Sequence, residues 1–295
     1  FLGIGANKAG TTWLYYQLAK HPDIWMPPLK ELHYFDHLSR CSFPACSASD
    51  TTFRYLTRKD RLNRTRRKNF TRLLLSAILQ RDWRRVHWTL RYFFGTRSDD
   101  WYVSLFQDGD GKVKGEITPC YSILDIKEVR HIRDMFPDLR IVLILRNPIE
   151  RAWSQVRFNY GLRHFKGINS TPRIKKFLER PASVLRGDYT RIIQTWMSCF
   201  PKDQMFIGWF DDIVLNPKKF LFDVFTFLGV DPAAFPMNDR LGNKINMSPE
   251  KEMPKEIGRY LAAKYRPELR MLSALVGGYS DLWLNEAEKI LKAAQ

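Results

Sequence analysis

The 295-residue chain carries 48 Lys and Arg against 31 Asp and Glu, a formal net charge of +17, with 44% hydrophobic and 14% aromatic residues. This apolar content excludes a disordered basic tail, because such a chain can bury a core, and no run of about 18 apolar residues offers a membrane span. The charge points to an anionic partner, whether nucleic acid, membrane, polysaccharide or a small phosphorylated ligand.

In chain order, Phe1 to Gly5 reads as a short buried strand ending in a glycine turn. Leu14 and Leu18, four apart within Thr11 to Lys20, with Trp13 and Tyr16 nearby, predict a helix, which His21-Pro22 stops. Met26 to Phe35 begins as a proline-bound loop and becomes an apolar-aromatic run. Arg54 to Arg91 holds thirteen Lys and Arg against Asp60 and Asp82, a net +11. Phe70, Leu74, Ala77, Ile78, Trp83, Val86 and Leu90 recur there at helical intervals, which predicts helices with one buried stripe and a basic face. Ile141 to Leu145 is a continuous aliphatic run that fits a parallel strand covered on both faces. Asn147 then serves as N-cap and Pro148 as the first position of a helix to about Tyr160. Met205 to Phe210 is a third strand candidate, and Phe220 to Leu228 and Lys255 to Leu275 are helical. Strands alternating with helices predict a single α/β domain over residues 1–295: a P-loop-like parallel sheet flanked by helices, with a basic helical insertion at residues 50–100.

Four cysteines, Cys41, Cys46, Cys120 and Cys199, lack metal-ligand spacing, so no structural zinc is expected. They read as free thiols, with a Cys41–Cys46 bridge as the alternative in an oxidising compartment. Glycosylation sequons occur at Asn63, Asn69, Asn169 and Asn246.

Two segments carry chemistry. Gly5-Ala6-Asn7-Lys8-Ala9-Gly10-Thr11-Thr12 lies between the first strand and the first helix. Its glycines keep the spacing of a phosphate-binding loop, in which backbone N–H groups and a helix N-terminus surround an anion. A nucleoside triphosphatase has Lys directly after the second glycine, whereas here Thr11 holds that place and Lys8 lies inside the loop. The second segment runs from Leu145 to Ser154. It puts Arg146 where a strand hands over to a helix, at the edge where such sheets bind ligands, and Ser154 further along the same helix. A guanidinium fork and a hydroxyl there suit a second phosphate. A tight glycine turn with a surface lysine, and a capping arginine with a helix-surface serine, are the plain structural alternatives.

Together these segments resemble the sulfotransferases that use 3′-phosphoadenosine 5′-phosphosulfate (PAPS). Asn7 to Leu14 is similar to that family's 5′-phosphosulfate loop, and Arg146-Asn147-Pro148 to Ser154 to its 3′-phosphate motif. Lys30-Glu31-Leu32-His33-Tyr34-Phe35-Asp36 resembles a segment of the glycan-modifying branch, which includes the heparan sulfate sulfotransferases. Asp100-Trp101-Tyr102 and Gly115 to Tyr121 resemble further segments of that branch, and Gly242 to Asn246 lies where the family has a late loop over the nucleotide.

The resemblance implies metal-free, in-line transfer of a sulfuryl group from PAPS to a hydroxyl or amine of a carbohydrate, glycolipid or other small acceptor, with adenosine 3′,5′-bisphosphate as product. Lys8, Ala9, Gly10, Thr11, Thr12, Trp13, Arg146, Ser154 and Lys244 are the implied cofactor residues, with Lys8 at the bridging oxygen of the leaving group. Glu31 is the leading candidate base and His33 the runner-up. Lys30, Asp36, Glu116 and Tyr121 are the implied acceptor-side residues. To act near neutral pH, Glu31 would need burial or neighbouring anions to raise its pKa. The branch often has Lys where this chain has Ile117, so an acceptor contact there is not implied. A P-loop kinase and a polyanion- or nucleic-acid-binding protein are the alternatives, although no nucleic-acid-binding signature is visible. Residues 54–91 read as a contact for an anionic membrane or polysaccharide, or as a solvated face. The chain begins inside an apolar run without Met, so an upstream segment is expected. A cytoplasmic setting is preferred, with the Golgi lumen and an N-terminal anchor as the alternative.

Overall fold

The computed structural model describes residues 1–37, 61–162, 170–236, 241 and 251–293. Cys41, Cys46, Asn169, Asn246, Lys244 and the 54–60 part of the basic stretch lie outside them.

Four parallel strands form the central sheet: β1 (Leu2–Gly5), β4 (Glu116–Ile117), β5 (Ile141–Leu145) and β6 (Met205–Trp209), in the order β4-β1-β5-β6. All five residues of β5 are buried, as its unbroken aliphatic run predicts. Gly3 lets β4 approach β1, since a Cβ there would lie 2.7 Å from Ile117 Cγ1. The β1–β5 register shifts between Gly3 and Gly5, turning the chain out of the sheet where the glycine loop begins. A separate pair, β2 (Ile24–Trp25) and β3 (Val113–Lys114), is also parallel.

The helices are α1 (Thr11–Leu18), α2 (Arg61–Leu79), α3 (Trp83–Phe94), α4 (Asp99–Ser104), α5 (Ile126–Met135), α6 (Pro148–Leu162), α7 (Thr171–Leu178), α8 (Pro181–Leu185), α9 (Tyr189–Met197), α10 (Phe210–Leu215), α11 (Pro217–Leu228), α12 (Lys255–Val276) and α13 (Tyr279–Lys292). Capping follows the sequence. Asn147 Oδ1 accepts from the Ile149 N–H at 3.0 Å, with Pro148 opening α6, and Asn216 and Pro217 open α11 in the same way. α12 packs on α13 and also meets α6 and α9.

The hairpin of α2 and α3 corrects the predicted stripe. Leu73, Ala77, Val86, Trp88, Tyr92 and Phe93 are buried, whereas Ile78, Trp83 and Leu90 are exposed. Aromatic rings set the packing: Trp88 stacks on Tyr92 with centroids 5.2 Å apart, and Phe70 meets Phe93 edge-on at 5.2 Å. Tertiary burial of large rings outweighs a simple count of apolar intervals.

Because the four strands are parallel, their carboxyl ends lie along one edge of the sheet. The Gly5–Gly10 loop, Thr118–Tyr121, Arg146–Asn147 and Phe210–Asp211 all follow strands at that edge.

Candidate active site

The loop after β1 ends at Gly10, whose φ of +80° suits glycine. A Cβ there would stand 3.0 Å from Ile213 Cδ1. Gly10 is the N-cap of α1, and no side chain caps it. Helix geometry therefore leaves the N–H groups of Thr11, Thr12 and Trp13 without intrahelical carbonyls. Lys8 also has a positive φ, of 70°. Arg146, at the end of β5, donates from Nη1 to the Lys8 carbonyl at 2.9 Å, so the second motif braces the first. The guanidinium lies 4.5 Å from the Phe210 ring centroid, and the Lys8 ammonium 4.1 Å from that of Phe158.

Burial lowers the Lys8 pKa to about 8, and the like charges of Arg146, Arg157 and Lys30 push it the same way. Arg146 Nη2 lies 4.0 Å from the half-exposed Glu150 carboxylate. Cations that depress one another beside uncapped helix N–H groups are the surroundings that favour a bound anion.

Thr11, Ala9 and Ser154 are buried at this edge. Trp13 does not join the cationic cluster. Its side chain packs against Phe220, and its indole N–H donates to the Leu241 carbonyl at 2.9 Å. Trp153 Nε1 donates to the Lys251 carbonyl at 3.0 Å. Two helices that follow the phosphate motifs thus hold the described residues on either side of 242–250. The sequence reading had singled out neither tether, although both tryptophans stand inside the motifs.

The second part of the site is the segment from Lys30 to Asp36. Its backbone is bonded to side chains instead of a neighbouring strand. The Leu32 N–H donates to Glu116 Oε2 (3.3 Å) and Thr118 Oγ1 (3.1 Å), and the Tyr34 N–H to Tyr121 Oη (2.8 Å). The Leu32 carbonyl accepts from Tyr92 and that of His33 from Arg97. Glu116, only 1% exposed, accepts in addition from Thr118 (2.7 Å), Tyr102 (2.8 Å) and Tyr121 (2.9 Å). Burial pushes its carboxyl up, against these hydrogen bonds. Glu116 and Tyr121 therefore cannot reach an acceptor. The structure corrects that expectation: both are buried supports of the segment that carries Glu31.

Lys30 Nζ lies 3.0 Å from Glu31 Oε1, Glu31 Oε2 lies 3.1 Å from His33 Nε2, and His33 Nδ1 lies 2.8 Å from Asp36 Oδ2. Burial works against charge on both Glu31 and His33 and is overcome in both. Glu31 falls to about 2 through His33 and Lys30. His33 rises to about 12 through Asp36 and Glu31. With each ring nitrogen donating to a carboxylate, His33 is an imidazolium with no lone pair to offer, which removes its reading as the base. Glu31 is held low, the opposite of the upward shift that the sequence reading required. Asp36 is buried behind His33 and orients it.

Among the described residues, Glu31, His33 and Cys120 place donor atoms within 4.8 Å of one another. These atoms have partners within the chain: Lys30 and His33 hold Glu31, Glu31 and Asp36 hold His33, and Arg186 Nη2 lies 3.6 Å from Cys120 Sγ.

A parallel α/β sheet with a glycine loop between its first strand and first helix, braced by an arginine at the end of β5, is a P-loop-like fold. The chain belongs to the Sulfotransferase family, whose description matches residues 1–234. It is 26% identical over 135 residues to heparan sulfate glucosamine 3-O-sulfotransferase 6 of Mus musculus, which covers 44% of this chain and 39% of that protein. It is 26% identical over 179 residues to heparan sulfate glucosamine 3-O-sulfotransferase 3B1 of Homo sapiens, covering 56% of this chain and 44% of that one. The matches thus span about two fifths of the length of these curated relatives. A solved sulfotransferase from Alicyclobacillus acidocaldarius shares the fold, with a TM-score of 0.63 at 22% identity over 96% of this chain and 97% of that one.

Proposed function

We propose that the protein transfers a sulfuryl group from PAPS to a hydroxyl of a carbohydrate acceptor. The observation that carries the reading is the crowding of Lys8 by the like charges of Arg146, Arg157 and Lys30, at the start of α1 and beside the Glu31–His33–Asp36 array. Family membership and the glycan sulfotransferases among its relatives support it.

PAPS supplies an activated sulfuryl group and a bisphosphate leaving group. Lys8 and the N–H groups of Thr11 and Thr12 would hold the 5′ side, with Lys8 countering charge on the leaving oxygen. Arg146 and Ser154 would hold the 3′-phosphate, and the acceptor hydroxyl would donate to Glu31. A carboxylate with a pKa of about 2 is a weak base toward a free alcohol. The proton of an oxygen that is forming a bond to sulfur is far more acidic, so transfer to Glu31 late in the step runs downhill. His33, clamped between two carboxylates, keeps Glu31 ionised and aimed. The lysine position within the loop disfavours the kinase alternative, because no Lys follows Gly10.

Thermal stabilisation by adenosine 3′,5′-bisphosphate, compared with ATP–Mg²⁺ and with duplex DNA, tests the reading. Stabilisation by the bisphosphate above both others is expected, and preference for ATP–Mg²⁺ or DNA overturns it.

A further inference from the structure

The α2–α3 hairpin carries charge and apolar surface that the proposed reaction does not use. Residues 61–94 contain ten Lys and Arg against the single acid Asp82, whose carboxylate is occupied in capping the Arg85 N–H at 3.0 Å. Lys68, Arg72, Arg81 and Arg84 are exposed, and none of them is in an ion pair among the described residues. Large apolar side chains are exposed around the turn that joins the helices: Leu75 (53%), Ile78 (45%), Leu79 (83%) and Trp83 (62%).

These residues are ordered along the hairpin. Positions 68, 71, 72, 75, 78 and 79 share one face of α2 by helical spacing. That face reads Lys68, Thr71, Arg72 and then Leu75, Ile78, Leu79 toward the turn. Trp83 follows immediately, at the start of α3. The opposite side is committed to the fold through Leu73, Ala77, Val86, Trp88 and Tyr92. The hairpin therefore has a buried face, a basic stem and an apolar tip. Its root lies on the candidate active site, since Tyr92 of α3 bonds the Leu32 carbonyl and Arg97 the His33 carbonyl.

We infer that the hairpin tip docks on an anionic lipid bilayer. Leu79 and Trp83 would enter the boundary between headgroups and acyl chains, where Trp is favoured. Arg72, Arg81 and Arg84 would meet lipid phosphates, their stems lying along the apolar layer. A sulfated polysaccharide also attracts the cations, but it offers nothing to four exposed apolar side chains at the turn. A bilayer uses both sets at once. Among the described residues no helix is long and apolar enough to cross a membrane, so this contact is peripheral. It would hold the Lys30–Asp36 segment near the lipid surface.

The test is flotation of the whole chain with vesicles of phosphatidylcholine alone or mixed with phosphatidylserine. Binding to the mixed vesicles is expected, with weaker binding to phosphatidylcholine alone. The double variant Leu79→Ser/Trp83→Ser should lower partitioning by about tenfold or more, and Arg84→Glu by at least about fivefold. Both changes are at exposed positions, and an unchanged thermal transition verifies folding. Absence of binding to the phosphatidylserine vesicles overturns the inference, as does equal binding by the double variant. Retention on heparin without vesicle binding overturns it in favour of a polysaccharide face.

Discussion

Lys8 offers a prediction that turns on charge alone. In the free protein its pKa is about 8, through burial first and then through Arg146, Arg157 and Lys30. A bound bisphosphate reverses the surrounding field and returns the ammonium toward its ordinary value of 10.5. The bound pKa then exceeds the free one, so binding takes up a proton. Affinity is full below about pH 8 and falls above it, by up to about tenfold per pH unit until the bound pKa is reached. Near pH 8, uptake should be about half a proton per ligand, read from calorimetry in two buffers with different ionisation heats. Lys8→Met removes the titrating group. It should weaken binding near neutral pH by about 10- to 100-fold, the worth of a charge-assisted hydrogen bond, and flatten the alkaline slope. A wild-type affinity independent of pH from about 7 to about 9.5 would refute the reasoning, as would the same slope in Lys8→Met.

Three further outcomes follow from the geometry. Arg146→Ala removes the brace on the Lys8 carbonyl along with a candidate phosphate ligand, and should weaken adenosine 3′,5′-bisphosphate by about 10- to 100-fold in calorimetry; unchanged affinity would exclude that role. Asp36→Asn leaves His33 with one anionic partner. The stability that His33 gains from its raised pKa is present below 6.5 and lost as pH rises through its folded value of about 12. The variant should complete that loss at lower pH, with the His33 ring titrating earlier by NMR, and an unmoved titration would contradict the array. Glu116→Gln turns a carboxamide N–H₂ toward hydroxyl and N–H donors, and should cost about 1–3 kcal/mol in denaturant unfolding; a loss near zero would mean that the buried network is not a support.

The sheet was legible in the sequence because β5 is an unbroken aliphatic run and β1 ends in glycine. The glycine loop and the Arg146 segment were legible because they are contiguous motifs, and the structure brings them together through the bond from Arg146 to the Lys8 carbonyl. What a sequence does not display is which atoms already have partners. Glu116 and Tyr121 stand in a motif and looked like acceptor contacts, yet their hydrogen bonds hold the backbone of Leu32 and Tyr34. His33 looked like a base from its ordinary pKa, until two carboxylates on its ring nitrogens became visible. Phe158 and Phe210, which lie against Lys8 and Arg146, come from distant helices and leave no local signal. In the hairpin, apolar spacing predicted a stripe, and the larger rings of Trp88, Tyr92 and Phe93 took the interior instead.

The central claim is that Glu31 receives the acceptor proton during sulfuryl transfer from PAPS. It is tested most directly by single-turnover transfer of labelled sulfate from PAPS to a panel of glycosaminoglycans, with the wild type and Glu31→Gln side by side. The account predicts transfer by the wild type and a transfer step slower by about 10²–10⁴-fold in the variant, with adenosine 3′,5′-bisphosphate affinity unchanged. Absence of transfer to every glycan, or full turnover by Glu31→Gln, would contradict it.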